Sequence, residues 1–196
     1  KEISSAFVID ELLEIESILK EKHNSLYLNE IIDLRNKVKL FGFHFASLDI
    51  RQDSRVHNHV FENIVSHPKI QDHISGLPLN YLDLELDERL AILPKLTGEV
   101  PESIFDEDIV KHTLGSIYAM KAIQKRNGEK GCNRYIISNC QSIENILQLF
   151  ALHRICGWEK PTVDLIPLFE TVDDLHASQN IMHALYSNPV YKKHLE

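Results

Sequence analysis

The sequence predicts a predominantly helical α/β fold built on three short parallel strands, with a long helical insertion between the first strand and the second. Three observations predict it. Apolar residues recur at three- and four-residue steps over most of the chain, as helices with one buried stripe require. At three places that period gives way to short runs rich in β-branched and aromatic residues. The last third alternates strand with helix, and strands joined through a helix pair in parallel.

The first forty residues read as two helices. Val8, Leu12, Ile15 and Leu19 form one stripe, and Ile31, Leu34 and Val38 form another after a break near Asn24-Ser25. Phe41 to Ile50 reads as the first strand, with Phe41, Phe43, Phe45, Ser47, Asp49 and Arg51 on one face. A helix from Ser54 to about Val65 carries Val56, Val60 and Ile64. Pro68, Gly76, Pro78, Gly98 and Pro101 then punctuate a stretch with a short helix near Asp87 to Leu96. A long helix from about Asp106 to Gln124 presents Val110, Leu114, Ile117 and Met120, and Gly128 to Gly131 closes it as a loop.

Arg134 to Ser138 is the second strand and Val163 to Glu170 the third, each followed by a helix, at about 141–156 and 173–186. Ser138-x-x-Gln141 and Thr171-x-x-Asp174 read as the caps that start those helices. Three strands cannot close a barrel, so this sheet has outer edges to cover. Polar groups gather at the strand ends: Asp49 and Arg51, then Ser138 and Asn139, then Glu170. In parallel barrels that rim is where active sites are built.

Composition narrows the function. Hydrophobic residues at 43% and charged residues at 26% are those of an ordinary globular protein. No run of about 18 apolar residues is available to span a membrane. A net charge of −8 argues against a nucleic-acid partner, and any anionic substrate must be held by a local cation against the surrounding field. Three cysteines without a C-x-x-C pair fit a reduced, intracellular setting. The opening Lys1-Glu2-Ile3-Ser4-Ser5 has neither an initiator Met nor a signal-peptide core, which reads as an excised or processed chain.

Leu48-Asp49-Ile50-Arg51-Gln52-Asp53-Ser54, Tyr135-Ile136-Ile137-Ser138 and Pro167-Leu168-Phe169-Glu170-Thr171 occur in that order, with Asp173-Asp174-Leu175 directly after. This series resembles the middle of phosphoenolpyruvate carboxylases, from about Leu40 to the C-terminus. The resemblance implies a large, mostly helical, cytoplasmic enzyme around a parallel eight-stranded barrel, commonly a homotetramer. Such enzymes join bicarbonate to phosphoenolpyruvate with Mg²⁺ or Mn²⁺, giving oxaloacetate and phosphate. On this reading residues 1–40 are a helical lead-in, and residues 41–196 are part of the barrel with a helical insertion at about 66–130, all in one structural unit. The family's His-Pro-Thr-Glu run, its Gly-Arg-Gly-Gly loop and its later metal-ligating aspartate are absent, so the chain alone is expected to be inactive and to need the remainder of the polypeptide. Asn139 stands where methionine is common, and Val100-Pro101-Glu102 replaces a frequent Arg-Pro-Leu.

The resemblance makes Arg51 the catalytic and substrate-binding residue that holds the phosphate, and Glu170 the metal ligand. Residue chemistry alone leaves each open. Arg51 with Asp49 could be a surface ion pair worth at most about 1 kcal/mol, whereas a guanidinium fork suits phosphate and keeps its charge. Asp49 would then support Arg51 by fixing its rotamer. Glu170 could be a rim residue or part of a cap, yet Mg²⁺ needs few carboxylates beside substrate oxygens and water. His57-x-His59, with His67 and His73, looks like a zinc cluster, but residues two apart on a helix face differently, so solvated or loop histidines are the expectation. Cys140 is expected to be a buried structural thiol, Ser138 and Asn139 capping residues, and Asp83 to Glu88 a solvated face. The competing function is a non-catalytic helical interaction or regulatory module.

Overall fold

The computed structural model describes residues 3–196. The chain divides into two compact units, residues 1–48 with 123–131, and residues 49–122 with 132–196.

The first unit is a helical hairpin. α1 (Ser5–Lys22) begins at Ser4, whose hydroxyl accepts the Phe7 N–H at 3.1 Å. Left-handed backbone at Asn24, Ser25 and Tyr27 reverses the chain at the expected break and leads into α2 (Leu28–Phe41). Buried Glu16 on α1 meets Arg35 on α2 at 3.1 Å. Leu12 is buried on the α1 stripe, but Ile15 from the same stripe and Leu34 of α2 stay exposed.

The strand expected over Phe41 to Ile50 starts instead at Asp49. Gly42 ends α2 with φ +53 and its N–H on the Val38 carbonyl, and Phe45 has φ +63. Two left-handed residues within four cannot belong to an extended strand. The segment folds back on itself, with the Phe45 N–H on the Phe41 carbonyl at 2.8 Å and the two rings stacked at 5.2 Å. Those aromatics therefore share no strand face with Asp49 and Arg51.

The second unit holds the sheet. β1 (Asp49–Asp53) runs into α3 (Ser54–Ser66). β2 (Ile74–Ser75), α4 (Leu86–Ile92) and β3 (Thr97–Gly98) follow, then α5 (Asp108–Asn127), whose last residues belong to the first unit. β4 (Arg134–Ser138), α6 (Ile143–Ile155), β5 (Asp164–Pro167), α7 (Val172–Ser187) and α8 (Pro189–Leu195) complete it. The sheet order is β1-β4-β5, parallel throughout, with Asp53 opposite Ser138 and Ile137 opposite Pro167. β1 and β5 are its outer strands.

The core explains the order. Tyr135 and Ile137 of central β4 are buried, and α6 is buried through every residue from Asn145 to His153. A helix apolar on all sides belongs in an interior. The α5 stripe Val110, Leu114, Ile117 and Met120 is fully buried, as its spacing predicts, as are Val60 and Ile64 of α3.

Three details differ from the sequence expectation. The α6 cap is not at Ser138 but at Ser142, whose hydroxyl accepts the Asn145 N–H, while Asn145 Oδ1 accepts the Ser142 N–H at 3.1 Å. The Thr171–Asp174 box forms as its spacing predicts, at 3.1 and 3.0 Å. β2 pairs antiparallel with β3 in a second small sheet, two residues a side and too short to show a period. α8 was also missed, although Asn188 followed by Pro189 is a start signal. Among the described residues no helix is long and apolar enough to cross a membrane.

Gly98 marks a close backbone approach. A Cβ there would sit on the His73 carbonyl oxygen, backbone that cannot swing aside. Gly98→Ala is expected to destabilise the fold by about 1–3 kcal/mol, the usual range for overpacking. Urea unfolding followed by circular dichroism measures it, and an unchanged midpoint would show that the β2–β3 ladder yields freely.

Candidate functional site

The site is built where β1, β4 and β5 end. Arg51 is the central residue of β1 rather than its last. Its side chain is 57% exposed and reaches past the end of β4 to Glu170, three residues beyond β5. Arg51 Nη2 donates to Glu170 Oε1 at 2.8 Å. The two residues singled out from separate motifs are thus in direct contact on one rim.

The second carboxylate oxygen is also held. Glu170 Oε2 accepts the backbone N–H of Asn139 at 3.0 Å. Asn139 follows β4 with φ +53, a left-handed conformation that asparagine tolerates better than most residues. Its carbonyl accepts the hydroxyl of buried Ser54 at 2.6 Å. Ser54 opens α3 directly after β1, so one hydroxyl ties the β1 exit to the β4 exit. Sequence reasoning treated Asn139 as a cap and gave Ser54 no role. An asparagine just past a strand was the available signal for the first, and nothing in the sequence announced the second.

Asp49 does not take up the support expected of it in this geometry. Its carboxylate accepts Arg134 Nε at 2.8 Å, across the Asp49–Arg134 register pair, whereas Arg51 turns to Glu170. Asp53 lies next along the strand and grips Arg55 through both carboxylate oxygens, at 2.9 and 2.7 Å. That hydrogen bonding outweighs partial burial and holds the Asp53 carboxyl down at about 2. Asp53 also caps α3 through the Arg55 N–H.

Among the described residues no group of three or more His, Cys, Asp and Glu is gathered that would hold a metal ion. Glu170 offers a hard, part-exposed carboxylate whose Oε1 accepts from half-exposed Arg51. Such a donor fits Mg²⁺ or Mn²⁺ as one ligand of a larger set. Cys140 is buried beside the rim, and burial pushes its thiol up to about 11, far from a reactive thiolate.

The histidines divide in a way their spacing does not reveal. His59 is exposed and meets Glu107 at 2.6 Å. His57 is not solvated: it is fully buried, with Nε2 3.1 Å from the Tyr135 hydroxyl. On α3 the two residues point to opposite sides, one inward and one outward. Leu86, Asp87 and Glu88 lie exposed, and the Glu85 N–H donates to the Glu88 carboxylate at 3.1 Å where α4 begins.

Residues 3–196 match the sequence model of a family described as phosphoenolpyruvate carboxylase. The chain is 36% identical to the phosphoenolpyruvate carboxylase of Nitrosomonas eutropha, over 98% of its own length and 21% of that protein. It is 32% identical to the one from Nitrosomonas europaea, covering 97% and 21%, and 30% identical to that of Trichormus variabilis, covering 96% and 19%. The chain therefore spans about a fifth of the length of these curated relatives.

Proposed function

The chain belongs to the phosphoenolpyruvate carboxylase family, and from that premise we propose that it carries two reacting-site groups of a cytoplasmic enzyme that carboxylates phosphoenolpyruvate with bicarbonate. The observation that carries this reading is the contact of Arg51 with Glu170 at 2.8 Å on the rim of a parallel sheet. In the whole polypeptide the three strands extend into a closed β/α barrel, and the parent assembles as a homotetramer.

In the reaction a bicarbonate oxygen attacks phosphorus and the bond from phosphorus to the enol oxygen breaks, leaving carboxyphosphate and the pyruvate enolate. Carboxyphosphate releases phosphate and CO₂, and the enolate carbon takes up that CO₂ to give oxaloacetate. Arg51 binds the phosphoryl oxygens and stabilises the charge that builds on them. Glu170 would serve as one ligand of Mg²⁺ or Mn²⁺, and the bound metal would supply positive charge against the developing negative charge of the reaction. Asn139 fixes the carboxylate through its N–H, so that Glu170 is oriented before any ligand arrives. Asp49 pairs with Arg134 where β1 and β4 begin, joining those two strands at the end away from the rim.

The family match over residues 3–196 stands against a separate interaction module. The chain alone is expected to make no oxaloacetate, because catalytic groups that act as a unit fail together when some are missing. A coupled assay with phosphoenolpyruvate, bicarbonate and Mg²⁺ checks this on the 196-residue chain and on the full-length parent. Activity in the short chain that Arg51→Ala abolishes would overturn the expectation, and an inactive parent would overturn the function.

A further inference from the structure

A cleft of about 520 Å³ opens at the end of β5 opposite the Arg51–Glu170 rim, within the range of small-molecule sites. Its lining is largely apolar: exposed Pro189 and half-buried Val190 from α8, with buried Phe150 from α6 and buried Pro161 ahead of β5. Three cationic residues line the cleft, Arg154, Lys160 and Lys193, against one carboxylate, Glu159. That is a local excess of two positive charges in a chain of net charge −8.

The arginine is fixed rather than loose. Arg154 Nε donates to the Leu96 carbonyl at 3.0 Å, and its guanidinium carbon lies 5.6 Å from the centre of the Phe150 ring. His194 packs on Phe150 at 5.1 Å and on Tyr191 at 5.5 Å. Burial lowers the His194 pKa, so its imidazole is a neutral hydrogen-bonding group at pH 7.

We propose that this cleft binds a small organic carboxylate with an apolar body, ring or chain against Pro189 and Val190, carboxylate toward Arg154, Lys160 and Lys193. An apolar lining alone would accept neutral molecules, and lysines alone would attract any anion. The combination selects a molecule with both parts. β5 lies between this cleft and Glu170, so the site is separate from the carboxylating rim and does not depend on that assignment.

Fluorine NMR of para-fluorobenzoate with the 196-residue chain tests it. Saturable line broadening is expected. Binding should fall about tenfold in Lys160→Gln/Lys193→Gln, and para-fluorobenzyl alcohol should bind about tenfold more weakly than the acid. Both lysines are exposed, so the variant keeps the fold, which near-ultraviolet circular dichroism verifies. Absence of saturable broadening, equal binding by the variant, equal binding of the alcohol, or displacement by inorganic phosphate at matching concentration would each overturn the proposal, the last by showing a site for bare anions.

Discussion

Acidification from neutral to about pH 4.5 is expected to remove roughly 5 kcal/mol of stability through two histidines alone. His57 and His153 are both fully buried and both pack on Tyr135, with ring centres 5.5 and 5.4 Å from the tyrosine ring. The Leu149 carbonyl can only accept, so His153 carries its proton on Nδ1, at 2.8 Å, and Nε2 is left without a partner. His57 Nδ1 is likewise unpartnered. Burial holds His57 down at about 3 and His153 at about 4, against an ordinary value of 6.5. The sign follows directly. Above pH 6.5 neither state binds the extra proton and there is no penalty. As the pH falls below 6.5 the unfolded chain takes up protons that the folded chain refuses, and stability drops until the folded values are reached.

The loss compares with a total of about 5–15 kcal/mol for a typical domain, so unfolding is expected near the bottom of that window. Asp53, held at about 2, acts in a lower window: its contribution persists above 3.8 and is lost as the pH falls toward 2. Urea unfolding at a series of pH values measures the slope, and His57→Gln/His153→Gln should flatten it. A wild-type chain equally stable at pH 6.5 and 4.5 would show that the imidazoles find protons inside the fold.

In the full-length parent, Glu170→Gln is expected to damage metal-dependent steps and Arg51→Lys to damage phosphoryl handling, each by about 10²–10³ in rate, or roughly 3–4 kcal/mol. Glutamine keeps the shape and can still accept the Asn139 N–H, but it lacks the negative charge a hard cation needs. Added Mg²⁺ or Mn²⁺ should therefore restore part of the rate. Lysine keeps a charge but loses the planar fork, and added metal should not help. Both side chains are at least 40% exposed at the rim, so neither substitution should unfold the protein. Steady-state kinetics across a metal titration, with circular dichroism as the folding control, separates the two. Near wild-type turnover in both would place the chemistry elsewhere.

Most of the helices and two of the three sheet strands were legible because their periods are long or their ends are marked. Val110, Leu114, Ile117 and Met120 repeat over three turns, and Thr171 with Asp174 marks a helix start by a local exchange of hydrogen bonds. The first strand was misplaced because five aromatic and aliphatic residues before Asp49 imitate strand composition, while left-handed backbone at Gly42 and Phe45 decides the matter. Composition cannot report φ at Phe45.

The rim was legible in part. Motif order brought Arg51 and Glu170 to one edge, but which cation Asp49 would choose depends on register, and register set it opposite Arg134. His57 shows the same limit. Whether a histidine on a helix faces water or core depends on the rotation of that helix against a neighbour far away in sequence.

The pairing of β1 with β4 also sets a timetable. Ser54 and Asn139, which lock the two strand exits together, are 85 residues apart. A ribosome adding about 5–20 residues per second leaves β1 without its neighbour for roughly ten seconds. β5, only one helix further on, arrives soon after β4 and can join it at once. Assembly during synthesis therefore has a natural direction, with β4 and β5 meeting through a short connection and β1 returning across a long one. The arginine is made first and waits for its glutamate, which follows 119 residues later.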